Sequence, residues 1–402
     1  MISRRTLLAS ASLGAVTAPL WLPGTAIGRR TAESPETCEL ALENRGSGTL
    51  NAYVTGREFG TDKWVLLRAD SSLYHLEEPA APETPLPVDC AIPVNESTVL
   101  TLPRMYGARV YFVHEDTLDF FVNPGPSLVE PAFAHPEDPN YSKVWSFCEF
   151  TFNDFQLFVN ISYVDLVTAL PIGLTLVGDD THTVAELPDG AVDRIADELA
   201  AQADRDGQPW NDLVLRDAGG SVLRAVSPQS VMAPYFDRPD EMPFRDHWNT
   251  YIDQTWSKYR DTDLLVDNQG GRGVFTGRVV DDVLTFEGGH TFVKPESRDI
   301  FTCDHGPFTN NPDDPDDKKG ILARLAAAFN RSTILDVSEQ PNGATAADYY
   351  QHSDTNHWAR AVHEHSPIGY AFPYDDVRPD GQPDESGAAH DENPQRLTIH
   401  AG

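Results

Sequence analysis

The feature that most constrains the fold is a series of short apolar segments separated by turn residues, from Cys38 to about Leu176. Examples are KWVLLRA, STVLTLP, QLFVNISYV and IGLTLVG. Short strands at regular spacing are typical of antiparallel sandwiches and barrels, and the 31 prolines and 28 glycines supply the turns that such a fold needs. The sequence therefore predicts a mainly β fold, with a β-sandwich or barrel domain over residues 36–180.

The pattern changes near residue 180, where helical periodicity begins to alternate with strands. Helices are predicted in three places, namely in DGAVDRIADELAAQADRDG up to Gly207, around Trp248 to Tyr259, and in GILARLAAAFNRSTIL. A length of 402 residues favours two domains, or one large β-rich domain with an insertion. We therefore predict a mixed α/β domain over residues 181–376. A loop and a last strand, Arg396 to His400, follow in residues 377–402.

The charge of the chain narrows the choice of partner. There are 62 acidic residues against 30 basic ones, a formal net charge of −32. This charge repels the phosphate backbone of a nucleic acid but not a neutral polysaccharide. Most of the basic residues are arginine, a composition that resembles halophilic secreted proteins; an acidic mesophilic protein is the alternative.

Residues 1–30 have the pattern of a twin-arginine export signal. Arg4 and Arg5 precede an apolar run from Leu7 to Trp21 that is too short to span a bilayer. We therefore expect a soluble, extracellular protein that is exported after folding and has no membrane anchor. The four cysteines, with no CxxC among them, could form two disulfides in three connectivities or remain buried free thiols; they are Cys38, Cys90, Cys148 and Cys303.

The stretch CEFTFNDFQLFVNISYVD, Cys148 to Asp165, alternates like a half-buried hairpin. In its first half Glu149, Thr151 and Asn153 share one face, and the apolar residues share the other. The polar face offers an acid, a hydroxyl and an amide. Such a surface suits a sugar, because it combines directional hydrogen bonds with an ionisable group.

Hydrolysis of a glycosidic bond usually needs two carboxyl groups, and this stretch contains a second one, Asp165. A hairpin that turns at Asp154–Phe155 pairs Glu149 with Asn160, which leaves Asp165 about 17 Å further along an extended strand. The second segment must therefore bend, or Asp165 must begin a loop that returns to the cleft. The pattern alone leaves open whether the two acids are catalytic or form a charged rim.

The same stretch resembles the acidic-cleft core of thaumatin-like proteins. Other segments resemble family 64 of the glycoside hydrolases, and they include LPRMYGARVYF, DIFTCDHGPF, ILARLAAAFNRSTIL and NHWARAVHEHSPIGYAFPYDDV. The resemblance covers most of the chain beyond residue 38. It implies a thaumatin-like sandwich or barrel against a mixed α/β domain, with a wide groove between them. It also implies a secreted, inverting endo-β-1,3-glucanase that releases oligosaccharides such as laminaripentaose.

The resemblance further implies roles for individual residues. Glu149, in EFT, matches the general acid, and Asp165, in SYVD, matches the general base. Substrate-binding positions are implied for four further residues: Thr151, Asn153, Arg109 and Asp376. Asp376 forms an acidic pair with Asp375 whose role is less defined. One departure is Asn160, which stands where many thaumatin-like proteins carry another acid.

Two further expectations follow from sugar chemistry. Pyranose faces stack on aromatic rings, so Phe158 and Tyr163 are candidates for sugar contact, with core packing as the alternative for them and for Trp145, Trp248 and Trp256. A general acid must also retain its proton. Glu149 is therefore expected in drier or more negative surroundings than Asp165, at the wide carboxyl spacing of an inverting enzyme.

Other chemistries have little support in the sequence. His363 and His365 flank Glu364, but HExxH is absent, so structural histidines are favoured over a metal site. No GxSxG, GxGxxG or GxxxxGK[ST] motif occurs. We therefore predict a monomer without cofactor or metal whose partner is a β-1,3-glucan. A glucan-binding protein without activity on the same scaffold is the alternative.

Overall fold

The computed structural model describes residues 33–402. The predicted export signal over residues 1–30 lies outside the described residues. The strands are, in chain order, β1 (Thr37–Asn44), β2 (Leu50–Glu58), β3 (Trp64–Leu67), β4 (Leu73–His75), β5 (Thr84–Pro85), β6 (Ile92–Val94), β7 (Thr98–Pro103), β8 (Met105–His114), β9 (Phe121–Asn123), β10 (Ser127–Val129), β11 (Trp145–Phe152), β12 (Leu157–Asn160), β13 (Leu166–Thr168), β14 (Ile172–Val177), β15 (Thr181–Val184), β16 (Val214–Arg216), β17 (Val222–Val226), β18 (Leu264–Asp267), β19 (Val274–Val280), β20 (Val283–Phe286), β21 (Thr291–Val293), β22 (Glu339–Gln340), β23 (Ala388–Asp391) and β24 (Arg396–Ala401). The α-helices are α1 (Ala191–Asp206), α2 (Pro228–Met232), α3 (Asn249–Asp261), α4 (Ser297–Thr302), α5 (Asp316–Asn330) and α6 (His357–His365).

Two large sheets form a sandwich. One has the order β15-β14-β24-β1-β7, and the other has the order β23-β12-β11-β8-β2-β3-β4 with β6 paired to β2. Leu40 and Ile399 of the first sheet lie in the same buried apolar cluster as Val54 and Val110 of the second. The two sheets therefore pack face to face, because each buries one apolar face against the other. The prediction of a mainly β fold is confirmed.

The predicted last strand is also confirmed, and it lies in the middle of a sheet. β24 pairs in parallel with β1 and antiparallel with β14. β23 likewise pairs with β12 at the edge of the second large sheet. The sandwich therefore combines segments from both ends of the described range. The domain boundary near residue 180 stays a prediction, since one apolar cluster runs through both sides of it.

The three predicted helices are confirmed as α1, α3 and α5. α1 buries an apolar stripe that includes Val192, Ile195 and Leu199, and Gly207 ends the helix with a φ of 71°. A left-handed residue at this place is a common helix terminator that glycine adopts without steric cost. α1 packs against α6.

Three smaller sheets complete the described residues. Their orders are β10-β9-β5, β13-β17-β16 and β21-β20-β19-β18-β22. The second of these matters most for the site, because β13 begins directly after Asp165 and pairs with β17. It therefore places Asp165 between the larger sandwich sheet and the β13-β17-β16 sheet.

All four cysteines are free and buried. This confirms the alternative of buried thiols over the two possible disulfides. Burial raises the pKa of the Cys38 and Cys148 thiols to about 12, so these two groups stay protonated and unreactive. Among residues 33–402, no helix has the length and apolar character that a membrane span requires.

Candidate active site

A row of polar residues crosses the outer face of the larger sandwich sheet. The strand registers pair Thr55 with Arg109, Arg109 with Glu149, and Glu149 with Asn160. Directly paired residues of neighbouring strands project from the same face. The four side chains therefore stand side by side across β2, β8, β11 and β12.

The hairpin that carries Glu149 has the predicted register. Glu149 pairs with Asn160, and the turn closes through a hydrogen bond from the Asn153 N–H to the Gln156 carbonyl at 3.0 Å. The Oδ1 atom of Asn153 also accepts the N–H groups of Phe155 and Gln156 at 2.8 and 2.9 Å. Asn153 therefore stabilises the turn, and its contact with substrate stays a prediction.

The expected bend after β12 is present. The Ile161 N–H donates to the Gly387 carbonyl, and the Tyr163 N–H donates to the Tyr370 carbonyl, both at 2.9 Å. The chain thus leaves the larger sheet along the C-terminal segment. Asp165 then accepts the Ser227 N–H on its backbone carbonyl at 2.9 Å, just before β13.

The carboxyl group of Asp165 lies in a dry and negative environment. Burial, with a further contribution from the negative charge of Glu149, raises the pKa of Asp165 to about 6. The positive charge of Arg109 and a hydrogen bond from Gln229 Nε2, at 3.2 Å, act in the opposite direction. Since Glu149 affects the titration of Asp165, the structure brings the two carboxyl groups into electrostatic contact.

Glu149 is the more solvated carboxylate, contrary to expectation. Its side chain is 37% exposed, and it accepts the Arg109 Nε–H on Oε1 at 3.0 Å. The prediction that Glu149 would be the drier acid is therefore wrong. The reason is that Glu149 stands on an open sheet face beside a cation, whereas Asp165 is covered by the segment around Gln229.

A third carboxylate, Glu130, belongs to the site and was not predicted. Arg109 Nη1 donates to Glu130 Oε2 at 3.0 Å, and the buried Thr55 hydroxyl donates to Glu130 Oε1 at 2.8 Å. We call Thr55, Arg109, Glu130 and Glu149 the Arg109 cluster. The guanidinium of Arg109 lies over the ring of Phe147, 4.8 Å from the ring centroid. Glu130 was missed because it follows β10 in an irregular segment. A signal was available in Thr55, a hydroxyl residue within an apolar strand. Its buried hydroxyl needs a polar partner, which is Glu130.

The predicted sugar contacts divide between the two faces of the hairpin. Thr151 and Phe158 are directly paired and partly exposed on the face of Glu149. Tyr163 is only 5% exposed and belongs to the main core, so its prediction as a sugar contact is wrong. It shares the inward face with Val159 and Ile161, as the alternation requires. The three tryptophans considered for sugar contact are core residues: Trp145, Trp248 and Trp256.

The acidic pair Asp375 and Asp376 is split by burial. Asp375 has no exposed side-chain surface and binds Arg331 Nη2 at 2.8 Å and His363 Nε2 at 2.9 Å. Burial alone would raise the pKa of Asp375, but His363 and Arg331 hold it below its usual value. We call Arg331, His363 and Asp375 the Arg331 cluster. Asp376 is exposed, and its contact with substrate stays a prediction.

Within the described range, residues 33–402, one group of side chains has metal-ligand geometry. Single ligand atoms of Glu198, Glu364 and His365 lie within 4.8 Å of one another. Arg360 and His365 already pair with the Glu198 carboxylate, at 3.1 and 3.2 Å. These two ion pairs supply partners for the Glu198 carboxylate without a metal ion. His363, the other histidine of this motif, has the structural role that was favoured, through its bond to Asp375.

Comparisons with known proteins agree with one another. The model of glycoside hydrolase family 64, described as β-1,3-glucanase, matches residues 36–401. A glucan endo-1,3-beta-glucosidase of Cellulosimicrobium cellulans is 28% identical over 389 residues, and that of Arthrobacter sp. (strain YCWD3) has the same identity. Each match covers 91% of this chain but spans only 65% of the length of the relative.

Solved structures share the architecture. A laminaripentaose-producing β-1,3-glucanase in complex with laminaritetraose has a TM-score of 0.78 and 30% identity, over 91% of this chain and 98% of that chain. The β-1,3-glucanase domain from Clostridium beijerinckii has a TM-score of 0.70 and 22% identity, over 93% of this chain and 99% of that chain. At the latter identity the match shows the fold alone.

Proposed function

The chain belongs to glycoside hydrolase family 64, and from this premise we propose that it is an endo-β-1,3-glucanase. Its substrates are glucans of the laminarin and curdlan type. One observation carries the proposal: Glu149 stands on an open sheet face in electrostatic contact with the drier carboxyl of Asp165. Two carboxyl groups in unlike surroundings are what acid–base hydrolysis of a glycosidic bond requires.

In this mechanism Glu149 protonates the leaving glycosidic oxygen, and Asp165 takes a proton from the attacking water. A general base works best when its pKa lies near the operating pH. The pKa of about 6 of Asp165 suits this role, because it makes the ionised group a better proton acceptor than an ordinary aspartate. Gln229 orients the carboxylate through its hydrogen bond. The water lies between the carboxyls on the far side of the sugar, so the anomeric centre inverts.

The position of the remaining polar groups supports glucan binding on the same face. Thr151 and Phe158 lie beside Glu149 and offer a hydroxyl and a partly exposed ring. We assign Arg109, Asn153 and Asp376 to the same groove, between a thaumatin-like sandwich and the mixed α/β part. The products are short oligosaccharides such as laminaripentaose. We also propose that the protein is an extracellular monomer exported by its twin-arginine signal and adapted to salt.

A β-glucan-binding protein without activity is the second candidate. The observation in its favour is the ion pair between Arg109 and Glu149, because an adjacent cation favours the ionised form of a carboxyl. A general acid needs the protonated form. The two candidates predict the same binding face but opposite results in a hydrolysis assay.

Release of reducing sugar from laminarin and curdlan, at low and high salt, separates the candidates. The enzyme hypothesis expects release by the wild type and loss in Glu149→Gln and Asp165→Asn. Glu287→Gln, an exposed acid in another sheet region, is the matched control and should retain activity. Nuclear magnetic resonance of the first products reports the anomeric configuration. Binding to curdlan without release would favour the second candidate.

A further inference from the structure

Arg109 is shared between two carboxylates. Its Nε–H donates to Glu149 and its Nη1–H donates to Glu130, each at 3.0 Å. Nη1 also lies 3.2 Å from the Tyr111 hydroxyl. The side chain of Arg109 is 20% exposed and that of Glu130 is 19% exposed, so both are largely removed from water. Where side chains are largely removed from water, neighbouring charges strongly influence which carboxyl group holds a proton.

The position of Arg109 creates a difficulty for an acid at Glu149. A cation in hydrogen-bond contact favours the ionised form of a carboxyl group over the protonated form. Protonation of Glu149 would also take one of its partners from a largely buried guanidinium, and a buried charge without a partner is costly. A working acid at this place therefore requires a second counter-ion for Arg109.

Glu130 meets this requirement. Its Oε2 already accepts from Arg109, and the buried Thr55 hydroxyl binds its other oxygen, which holds the carboxylate in place. The charges of Arg109 and Glu130 cancel locally. The guanidinium therefore keeps a carboxylate partner whether or not Glu149 carries a proton.

We propose that Glu130 is a positioning residue that retains Arg109 whenever Glu149 carries its proton, and so allows Glu149 to act as the general acid. This inference rests on the proposed function. The charged and titratable groups around Glu149 are Arg109 and Tyr111 on β8, Glu130 after β10, Asp165 before β13 and the buried Cys148 thiol. Asn160, on the neighbouring strand β12, is neutral.

The pH profile of kcat/KM on soluble laminarin tests the proposal. Glu130→Gln leaves the guanidinium with Glu149 as its remaining carboxylate in the cluster, so the alkaline limb should move to lower pH by about one unit or more. At pH values above the alkaline limb, a shift of one pH unit lowers kcat/KM about tenfold. Glu130→Asp keeps the charge and should retain the wild-type limb. A folded Glu130→Gln variant with an unchanged alkaline limb would overturn the proposal.

A second background separates charge coupling from a packing defect. In Arg109→Gln, the further change Glu130→Gln should no longer move the alkaline limb, because Glu130 acts through the guanidinium. A shift of equal size in both backgrounds would overturn the proposed route.

A direct titration keeps the test available if Glu130→Gln does not fold. The carboxyl ¹³C signal of Glu149, identified by its loss in Glu149→Gln, is followed with pH in the wild type and in Arg109→Gln. We expect a higher midpoint in Arg109→Gln, and equal midpoints would contradict the proposal. The titration needs no substrate. If the protein releases no sugar but shows the expected midpoints, the proposed glucanase activity is wrong. The coupling between Arg109 and Glu149 is still supported in that case.

Discussion

The Arg109 cluster and the Arg331 cluster each place an arginine against carboxylate groups, but they differ in how the charges are matched. In the Arg331 cluster a single fully buried carboxylate, Asp375, binds the side chains of Arg331 and His363 and accepts the Ala371 N–H at 2.9 Å. Every oxygen has a partner, and the charge has no contact with solvent. Such saturation stabilises a loop and leaves no group free for chemistry.

The Arg109 cluster has the reverse balance. Two carboxylates share one guanidinium, a third acid lies in electrostatic contact, and Glu149 remains 37% exposed. Unmatched negative charge at an accessible face is costly to maintain and is a frequent mark of functional sites. Exposure and charge excess, rather than the presence of acids, therefore distinguish a candidate active site from a structural ion network.

The largest expected effect is on activity. Glu149→Gln and Asp165→Asn should each lower kcat on laminarin by about 10²–10⁴-fold, the usual contribution of a general acid or base. The double variant should be little worse than either single one, because acid and base act as a unit. Retention of near wild-type turnover in either single variant would place the chemistry elsewhere.

The next effect concerns stability and belongs to the other cluster. Asp375→Asn leaves Arg331 and His363 without their buried anion, and breaking a buried pair typically costs about 3–5 kcal/mol. Urea unfolding at pH 7 measures this loss. The matched control is the exposed acid Glu287, and Glu287→Gln should change stability by no more than about 0.5 kcal/mol. Similar losses in both variants would contradict the structural role of Asp375.

Asp165 and Asp375 should have opposite effects on stability as pH changes. The pKa of Asp165 is raised in the folded state from 3.8 to about 6, so its ionisation costs stability as pH rises through this window. Asp165→Asn should therefore stabilise the protein at pH 8 by about 1–3 kcal/mol, and the gain should vanish near pH 4. The pKa of Asp375 is lowered, so its contribution is present above pH 3.8 and is lost at lower pH. Unfolding curves from pH 2 to 8 test both signs.

A smaller effect is the acid limb of the activity profile. Since Asp165 must be ionised to act as base, kcat/KM should fall about tenfold per unit below about pH 6. This midpoint belongs to the interacting pair rather than to one residue. A profile that stays flat down to pH 4 would show that Asp165 is not the base.

The smallest expected effect also tests Asp165 as the general base. The hydrogen bond from Gln229 favours the ionised form of Asp165. Gln229→Ala should therefore move the acid limb upward by about half a pH unit, the equivalent of one modest hydrogen bond. Glu287→Gln again serves as the unchanged reference.

Local patterns predicted much of the fold. The period of two placed Glu149 and Thr151 on one face and predicted the register with Asn160, which the structure confirms. Helical periodicity likewise placed α1 and α5. These features depend on neighbours in sequence, so the sequence alone was sufficient for them.

Features that depend on distant segments were not accessible in the same way. The bend that carries Asp165 relies on the carbonyls of Tyr370 and Gly387, far along the chain. The relative dryness of the two acids was misjudged because the segment around Gln229 covers Asp165. Glu130 has no periodic pattern around it, and only the register of β2 and β8 brings it to Arg109 through Thr55.

The central position of β24 has a consequence for how the molecule is made. Without this strand the five-stranded sheet consists of two separate strand pairs, β1 with β7 and β14 with β15. Closure requires contact between segments remote in the chain, which slows folding. Until then two apolar strand edges stay open to pairing with other copies. The time at which β24 inserts therefore sets how long these edges are exposed to pairing with other copies.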